Sequence, residues 1–186
     1  MMDFNKMLLN CNTIKSDRTL SHKMTFIYDE ETRNHTLNGK HIPSVSQVID
    51  TLTDFSGIDP EILQRKTELG TEFHKAVELY LQDDLHMDSL DPDLVKPMEA
   101  FNMWYVHTRN IVNIEQPIYH KTLKYCGKPD LVVETAIFDW KLRKYMPFID
   151  RLKLEAYRHI ISRKKMALWT VCFALDGKIS IHNSCH

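Results

Sequence analysis

Two carboxylates and a lysine stand close together in the chain, at Asp130 and in the triplet Asp139-Trp140-Lys141. Side chains alternate between the two faces of a β-strand, so Asp139 and Lys141 are expected on one face and Trp140 on the other. A hairpin that turns at about Glu134 to Ala136 would bring Asp130 beside Asp139. Carboxylate oxygens suit Mg²⁺ or Mn²⁺, which activate a bound water, and a nearby lysine offsets the charge that grows during phosphodiester hydrolysis. These residue types therefore predict a metal-dependent phosphodiesterase.

The D-x-K triplet is short, and a surface ion pair on an edge strand is the simpler interpretation of it. Its flanking residues Ile137, Phe138 and Trp140 are apolar, however, which indicates a strand that is buried at its middle. Buried charges are costly, so Asp139 and Lys141 would need a functional reason to be there.

A histidine and an acid share one face of a predicted helix, since His74 and Glu78 are four residues apart. His74 borders the apolar stripe of this helix, which runs through Leu69, Phe73, Val77 and Tyr80. A lone histidine in such a place is more often an ordinary core residue than a ligand. Its position lets it look towards the carboxylates, so we treat it as a candidate metal ligand.

The positive charge of the chain is concentrated between Lys141 and Lys165, which holds nine lysines and arginines against two acids. Arg143, Lys153 and Tyr157 belong to this segment, and the last two are four residues apart on one helix face. A cation beside a phenol suits contacts with phosphates and bases, so these three are candidate DNA-binding residues. The alternative is an amphipathic helix with a solvated charged face.

The bulk composition limits the function classes. The chain has 186 residues, which fits one compact domain, and its formal net charge of −1 excludes coating of nucleic acid by a general basic excess. Its four cysteines show no C-x-x-C spacing, so we expect no zinc or iron–sulfur centre and interpret them as reduced thiols. The longest apolar run falls short of the ~20 residues that cross a bilayer. We expect a cytoplasmic protein without a membrane partner.

Residues 1–58 are predicted to form an N-terminal extension packed on the core. Residues 1–22 show no clear period. Two short strands, Met24 to Tyr28 and His35 to Leu37, precede a turn at Asn38-Gly39. Ser44-Val-Ser-Gln47 has the pattern of a capping box, which predicts a short helix to about Leu52.

Residues 59–186 are predicted to form the core. Asp59-Pro60 and Asp91-Pro92 are helix starts, the first helix ending near Gln82. Three strands, then a helix over Phe148 to Ile161 and a strand over Met166 to Leu175, complete the order, with a hairpin at Asp176-Gly177. The three strands, expected to form an antiparallel meander, are Val112 to Tyr119, Leu131 to Glu134 and Ile137 to Lys141. The helix over Phe148 to Ile161 is expected to pack on the sheet through Leu152, Ala156 and Ile160. The fold class is therefore α/β with a mixed central sheet.

Together these motifs resemble the RecB-type branch of the PD-(D/E)XK nuclease superfamily, over roughly residues 60 to 175. The matching positions are Gly70 and His74 (G-x-x-x-H), Gly127 and Asp130 (G-x-x-D), Asp139 and Lys141 (D-x-K), and Lys153 and Tyr157 (Q-x-x-x-Y). The segment with Tyr28, Pro43 and Ser44-Val-Ser46 also resembles the N-terminus of phage-type and mitochondrial-type relatives. Lys153 departs from the family glutamine, and Leu142 stands where a serine or threonine is usual.

The resemblance implies a restriction-endonuclease-like core and one or two Mg²⁺ or Mn²⁺ ions bound by His74, Asp130 and Asp139. It implies a catalytic role for Lys141 and a further ligand in the carbonyl of Trp140. Glu78 would then orient His74 from outside the ligand set. The four-cysteine cluster of some relatives is absent, which again argues against an iron–sulfur centre.

We therefore expect a metal-dependent deoxyribonuclease, more specifically an exonuclease that processes DNA with a free end in a phage or mobile element. A homo-oligomer, or a partner protein of replication or recombination, fits that setting. A structure-specific endonuclease and a non-catalytic DNA-binding or adaptor protein on the same fold are the alternatives. An adaptor would lack a core carboxylate or lysine, and none is missing here. An RNA-binding module is less well supported, because its strands would carry stacking aromatics.

Overall fold

A computed structural model describes residues 25–29, 32, 34–105, 111–144, 148–161 and 165–184. Within these ranges the protein is a mixed α/β structure built on a five-stranded sheet. The predicted irregular lead-in over residues 1–22 lies outside them. No helix in the described ranges is both long and apolar enough to cross a membrane.

The N-terminal part contains a small antiparallel sheet of β1 (Phe26–Asp29), β2 (Asn34–Leu37) and β3 (Lys40–His41). Asn38 and Gly39 join β2 to β3 with φ of 52° and 74°, as the predicted tight turn requires. The predicted capping box is confirmed ahead of α1 (Val45–Asp50). Ser44 Oγ accepts the amide hydrogen of Gln47, and Gln47 Oε1 accepts that of Ser44.

Two longer helices follow, and both begin where the sequence predicts. Helix α2 (Pro60–Leu81) is capped at its start by the Asp59 carboxylate, which accepts hydrogen bonds from the amides of Glu61 and Ile62, and Gln82 is its C-cap residue. Helix α3 (Pro92–Tyr105) includes Pro97 near its start. A 3-10 helix (Met87–Ser89) lies between them.

The predicted meander is confirmed as β4 (Ile111–Ile114), β7 (Leu131–Val133) and β8 (Ala136–Leu142), which pair in that order and antiparallel. The single strand predicted from Val112 to Tyr119 is wrong. It divides into β4 and β5 (Ile118–Tyr119), and β5 pairs with β6 (Cys126–Gly127) in a separate two-stranded sheet. Glu115, between the two, has a φ of 48°, which no extended strand accommodates.

A crossover completes the sheet. Helix α4 (Phe148–Ile161) leads from β8 to β9 (Ala167–Phe173), which is parallel to β8, and a hairpin then adds the antiparallel β10 (Ile179–Asn183). The strand order is β10-β9-β8-β7-β4, so the sheet is mixed as predicted.

Helices cover both faces of this sheet. On one face, Phe73 of α2 and Phe101 of α3 belong to the same buried cluster as Trp140 and Phe173. On the other, Leu154 and Tyr157 of α4 pack in a cluster with Ile137 and Leu168, which Val45 of α1 also joins.

The prediction of which face of α4 packs on the sheet is partly wrong. Leu152 is exposed and Phe148 is 68% exposed, whereas Asp150, Leu154 and Tyr157 are buried. Asp150 begins the buried stripe because Arg143 neutralises it in an ion pair. The spacing of apolar residues therefore indicated a helix face adjacent to the one that is buried.

Candidate metal centre

His74 reaches the end of the sheet because its neighbours on α2, Phe73 and Val77, anchor that helix in the core. The indole Nε1–H of Trp140 donates to His74 Nδ1 over 3.2 Å. The same Nδ1 lies 3.6 Å from Glu115 Oε1 and 3.7 Å from Asp130 Oδ1. The imidazole is therefore directed at two carboxylates.

Asp130 immediately precedes β7, and the β7–β8 hairpin brings it beside β8 as the sequence predicts. Leu131 pairs with Phe138, and the backbone N–H of Trp140 donates to Asp130 Oδ2 over 2.8 Å. The carboxylate is buried. Burial, with the nearby charge of Asp139, raises the pKa of Asp130 to about 6 against the opposing charges of His74 and Lys141. A cation beside this carboxylate would stabilise its ionised form.

Glu115 completes the group, and sequence reasoning missed it. Its backbone N–H donates to the Asp130 carbonyl over 3.1 Å, and Lys128 Nζ lies 3.2 Å from its Oε2. Its Oε1 is buried and has no hydrogen-bond partner among the described residues. One signal could have found it. In an antiparallel pair, the residue after β4 lies opposite the residue before β7, which is Asp130.

His74, Glu115 and Asp130 can each offer a ligand atom such that all three atoms lie within 4.8 Å of one another. One imidazole nitrogen and two carboxylate oxygens form a donor set that divalent cations accept. The unpartnered Glu115 Oε1 supports this fit, because a buried polar atom without a partner is costly unless something binds it.

Asp139 lies outside that group. Its Oδ1 is 2.8 Å from Lys153 Nζ, and its other oxygen forms an ion pair with Lys141. Burial alone would raise the pKa of Asp139, but the charges of the two lysines lower it below its usual range. Asp139 is thus a fully buried carboxylate between two ammonium groups, and its predicted role as a metal ligand stays a prediction.

Lys141 joins the parts of the site. Its Nζ pairs with Asp139, donates to the Trp140 carbonyl over 3.1 Å and lies 4.0 Å from Asp130 Oδ2. The side chain is only partly exposed. The predicted convergence of Asp130, Asp139 and Lys141 at one end of the sheet is therefore present in the structure.

Lys153 and Tyr157 occupy less accessible positions than DNA-contacting residues would favour. Lys153 is engaged by Asp139 and lies 5.6 Å from the Tyr157 ring centroid. Tyr157 is 2% exposed, and its hydroxyl donates to the Lys128 carbonyl over 3.3 Å. A Cβ on Gly127 would lie 2.3 Å from Tyr157 Cε1, so this glycine makes room for the ring. The burial favours a packing role for Tyr157, and its contact with DNA stays a prediction.

The two remaining predicted residues also have protein partners. Arg143 pairs with Asp150, and Glu78 accepts a hydrogen bond from Lys75 over 3.0 Å. In the structure His74 accepts a hydrogen bond from Trp140, and the orienting role of Glu78 stays a prediction.

The site opens into a groove of about 1220 Å³ that His74, Glu115, Lys128, Lys141 and Lys153 all line. Two members of the proposed ligand group, His74 and Glu115, are therefore accessible from this groove.

No protein-family model matches the chain, and no curated protein matches it.

Proposed function

We propose that the protein is a metal-dependent DNA nuclease of the PD-(D/E)XK type, with a restriction-endonuclease-like core. The observation that carries the proposal is the convergence of a buried aspartate pair, Asp130 and Asp139, with Lys141 and His74 at one end of a mixed sheet. Burial of so many charges is costly, and chemistry on a charged substrate is a sufficient reason for it.

His74, Glu115 and Asp130 would hold the cation, which we propose to be Mg²⁺ or Mn²⁺. When bound, it would polarise the scissile phosphate and lower the pKa of a water molecule. The motifs indicated His74, Asp130 and Asp139 as ligands. In the proposed set, Glu115 takes the place of Asp139.

The residues of the chain then have separate tasks. Lys141, held by Asp139 and the Trp140 carbonyl, presents an ammonium group that can donate to the phosphate as its negative charge grows. Lys153 keeps Asp139 ionised and in place. Trp140 fixes the ring of His74 through one hydrogen bond and Asp130 through another.

An exonuclease of a phage or mobile element remains the more specific form of this proposal, with an endonuclease and a non-catalytic adaptor as its alternatives. The adaptor is less favoured because both carboxylates and the lysine are present and close together. A cytoplasmic location is supported by the buried free thiols of Cys126 and Cys172.

The deciding experiment uses end-labelled linear DNA and closed-circular DNA, each single- and double-stranded, with Mg²⁺ or Mn²⁺. We expect loss of the linear substrates only, abolished by EDTA and by Lys141→Ala. Lys40→Ala is the matched control, since it makes the same change on exposed β3. Cutting of the circles would identify an endonuclease. DNA binding that Lys141→Ala leaves unchanged, with no cleavage of any substrate, would favour the adaptor.

A further inference from the structure

Lys128 is a second lysine at the edge of the proposed metal centre, on the side of the groove. Its Nζ lies 3.2 Å from Glu115 Oε2, and its side chain lines the groove and is 30% exposed. An ammonium group has three N–H donors, and among the described residues Glu115 is the only carboxylate at ion-pair distance from it. Lys128 can therefore donate to a ligand in the groove without leaving Glu115.

The main chain at Lys128 is held in place by helix α4. The hydroxyl of Tyr157, a residue of that helix, donates to the Lys128 carbonyl over 3.3 Å. Gly127 lets the ring approach so closely, because a Cβ at that position would clash with it. On the other side of Lys128, the ring of Pro129 restricts the backbone. A fixed backbone gives the ammonium group a defined position, as a catalytic group requires.

Lys128 and Lys141 lie at opposite ends of the proposed ligand group. His74 Nδ1 is 3.7 Å from Asp130 Oδ1, whereas Lys141 Nζ is 4.0 Å from the other oxygen, Oδ2. In the same way, His74 Nδ1 is 3.6 Å from Glu115 Oε1, whereas Lys128 pairs with Oε2. Each carboxylate thus turns one oxygen towards the histidine and the other towards a lysine, so an ammonium group flanks the group on either side.

We propose that Lys128 is a further catalytic residue, which donates a hydrogen bond to the oxygen that leaves phosphorus, while Lys141 acts at the end where water attacks. This inference rests on the proposed nuclease function and assigns a residue to a step at the same site. In-line displacement places the attacking and leaving oxygens on opposite sides of phosphorus. Two cations at opposite ends of the ligand group match that arrangement.

The step requires no change in the charge of Lys128. An electron pair of the water oxygen forms the new bond to phosphorus, and the electron pair of the broken P–O bond stays on the leaving oxygen. The attacking water loses a proton to solvent, and solvent supplies the proton that turns the leaving oxygen into a hydroxyl group. Negative charge grows on that oxygen before the proton arrives, and a charge-assisted hydrogen bond from Lys128 stabilises it there.

The test compares two oligonucleotides that differ in one atom. In the second, sulfur replaces the leaving oxygen of the cleaved bond, which the product ends identify, and a thiolate leaves with little need of a donor. Lys128→Met keeps the apolar stem and removes the charge. We expect kcat for the oxygen substrate to fall by about 100-fold, as for the loss of one donor to a developing oxyanion, with KM little changed. The sulfur substrate should recover at least about tenfold of that loss.

Two other variants and one binding measurement separate catalysis from structure. Lys178→Met removes a lysine from another carboxylate pair, that with Asp176, and should leave both rates unchanged. Lys141→Met should slow both substrates alike, because it acts at the other end of the site. Isothermal titration calorimetry of Lys128→Met should show Mn²⁺ bound at least as tightly as by the unaltered protein, since a positive charge beside Glu115 is gone.

Equal slowing of the oxygen and sulfur substrates by Lys128→Met, or an unchanged rate with both, would overturn the inference while cleavage by the unaltered protein upholds the nuclease. Weaker Mn²⁺ binding in this variant would also overturn it, because Lys128 would then act only by holding Glu115 in place. No cleavage of either oligonucleotide by the unaltered protein would refute the proposed function and this inference together.

Discussion

Trp140 Nε1 and His74 Nδ1 are joined by a 3.2 Å hydrogen bond that connects the strand of the D-x-K triplet to helix α2. The indole ring is fully buried among the aromatic side chains of Phe101 and Trp104, so it holds the imidazole in a fixed orientation. Because the indole N–H is a donor, it occupies the lone pair of Nδ1, which is the nitrogen that lies nearest Glu115 and Asp130.

Trp140→Phe should therefore free this lone pair and strengthen Mn²⁺ binding by about tenfold, while an aromatic ring still fills the core. Isothermal titration calorimetry measures the affinity, and thermal unfolding measures the loss of packing. Trp104→Phe is the control, since Trp104 packs in the same cluster. It should lose stability and retain the Mn²⁺ affinity. Weaker Mn²⁺ binding in Trp140→Phe, or an equal change of affinity in both variants, would contradict this expectation.

Glu115→Gln tests the ligand that the motifs did not indicate. Replacing this carboxylate by an amide removes a negative charge from the group with His74 and Asp130. We therefore expect Mn²⁺ affinity to fall by at least about tenfold, which is the smallest loss usual when a residue that supports a metal ligand is removed. Glu99→Gln makes the same change on the exposed side of α3 and should bind the metal normally. Normal affinity in Glu115→Gln would remove Glu115 from the proposed set and return that place to Asp139.

The raised pKa of Asp130, about 6, predicts a pH-dependent stability in the absence of metal. An unfolded aspartate titrates near ~3.9, so the folded state holds this proton more tightly. Its contribution to the free energy of unfolding is complete below about pH 4 and is lost as the pH rises through about 6. Asp130→Asn imitates the protonated form. Its free energy of unfolding, relative to that of the unaltered protein, should therefore rise by about 2–3 kcal/mol between pH 4 and pH 7.5.

Urea unfolding in EDTA at several pH values measures that difference. Asp139 does not interfere, because its pKa is lowered and its contribution is lost only in stronger acid. Saturating Mn²⁺ should stabilise the unaltered protein and leave Asp130→Asn unchanged. A stability difference that stays constant over this pH range would contradict the expectation.

Two glycines of the motifs should respond to alanine in opposite directions. Gly70→Ala places a methyl group in open space and should stabilise the protein by about 0.5–1 kcal/mol. Gly127→Ala places one against the Tyr157 ring and should destabilise it by about 1–3 kcal/mol. Chemical denaturation measures both. Recovery of stability in the double variant Gly127→Ala/Tyr157→Leu would identify the ring as the cause, whereas an unrescued loss would point elsewhere.

Lys153→Gln restores the residue type that the resembled family carries at this position. It removes one positive charge from the vicinity of the proposed cation, so Mn²⁺ should bind about tenfold more tightly. The protein should also become less stable, because Asp139 retains only Lys141 as its cationic partner. Lys153→Arg keeps the charge and should change the metal affinity little. Weaker binding in Lys153→Gln would mean that Lys153 supports the site by positioning Asp139.

Much of the fold could be predicted because local signals and tertiary packing agree. Asp59-Pro60 and the Ser44–Gln47 box mark helix starts by satisfying free backbone amides, a need that exists before any packing. The hairpin that brings Asp130 to Trp140 follows from the short link between two apolar strands. These features depend on neighbours in the sequence.

The remainder depends on partners far apart in the sequence. Glu115 could not be selected by spacing because its place is set by the pairing of β4 with β7 and by its own left-handed backbone. The buried face of α4 includes Asp150, which only its ion pair with Arg143 makes tolerable inside. From the sequence, Lys153 was expected to be an exposed cation, because its partner Asp139 lies on a different element and spacing within α4 gives no sign of it.

The two ion pairs of Asp139 join parts of the chain that are distant in the fold. Lys141 comes from β8 and Lys153 from the crossover helix α4, so Asp139 has both of its cationic partners only where α4 is packed on the sheet. The charge balance of the proposed metal centre therefore requires α4 to be packed on the sheet, so a change that loosens this helix would disturb the site without altering any of the proposed ligands.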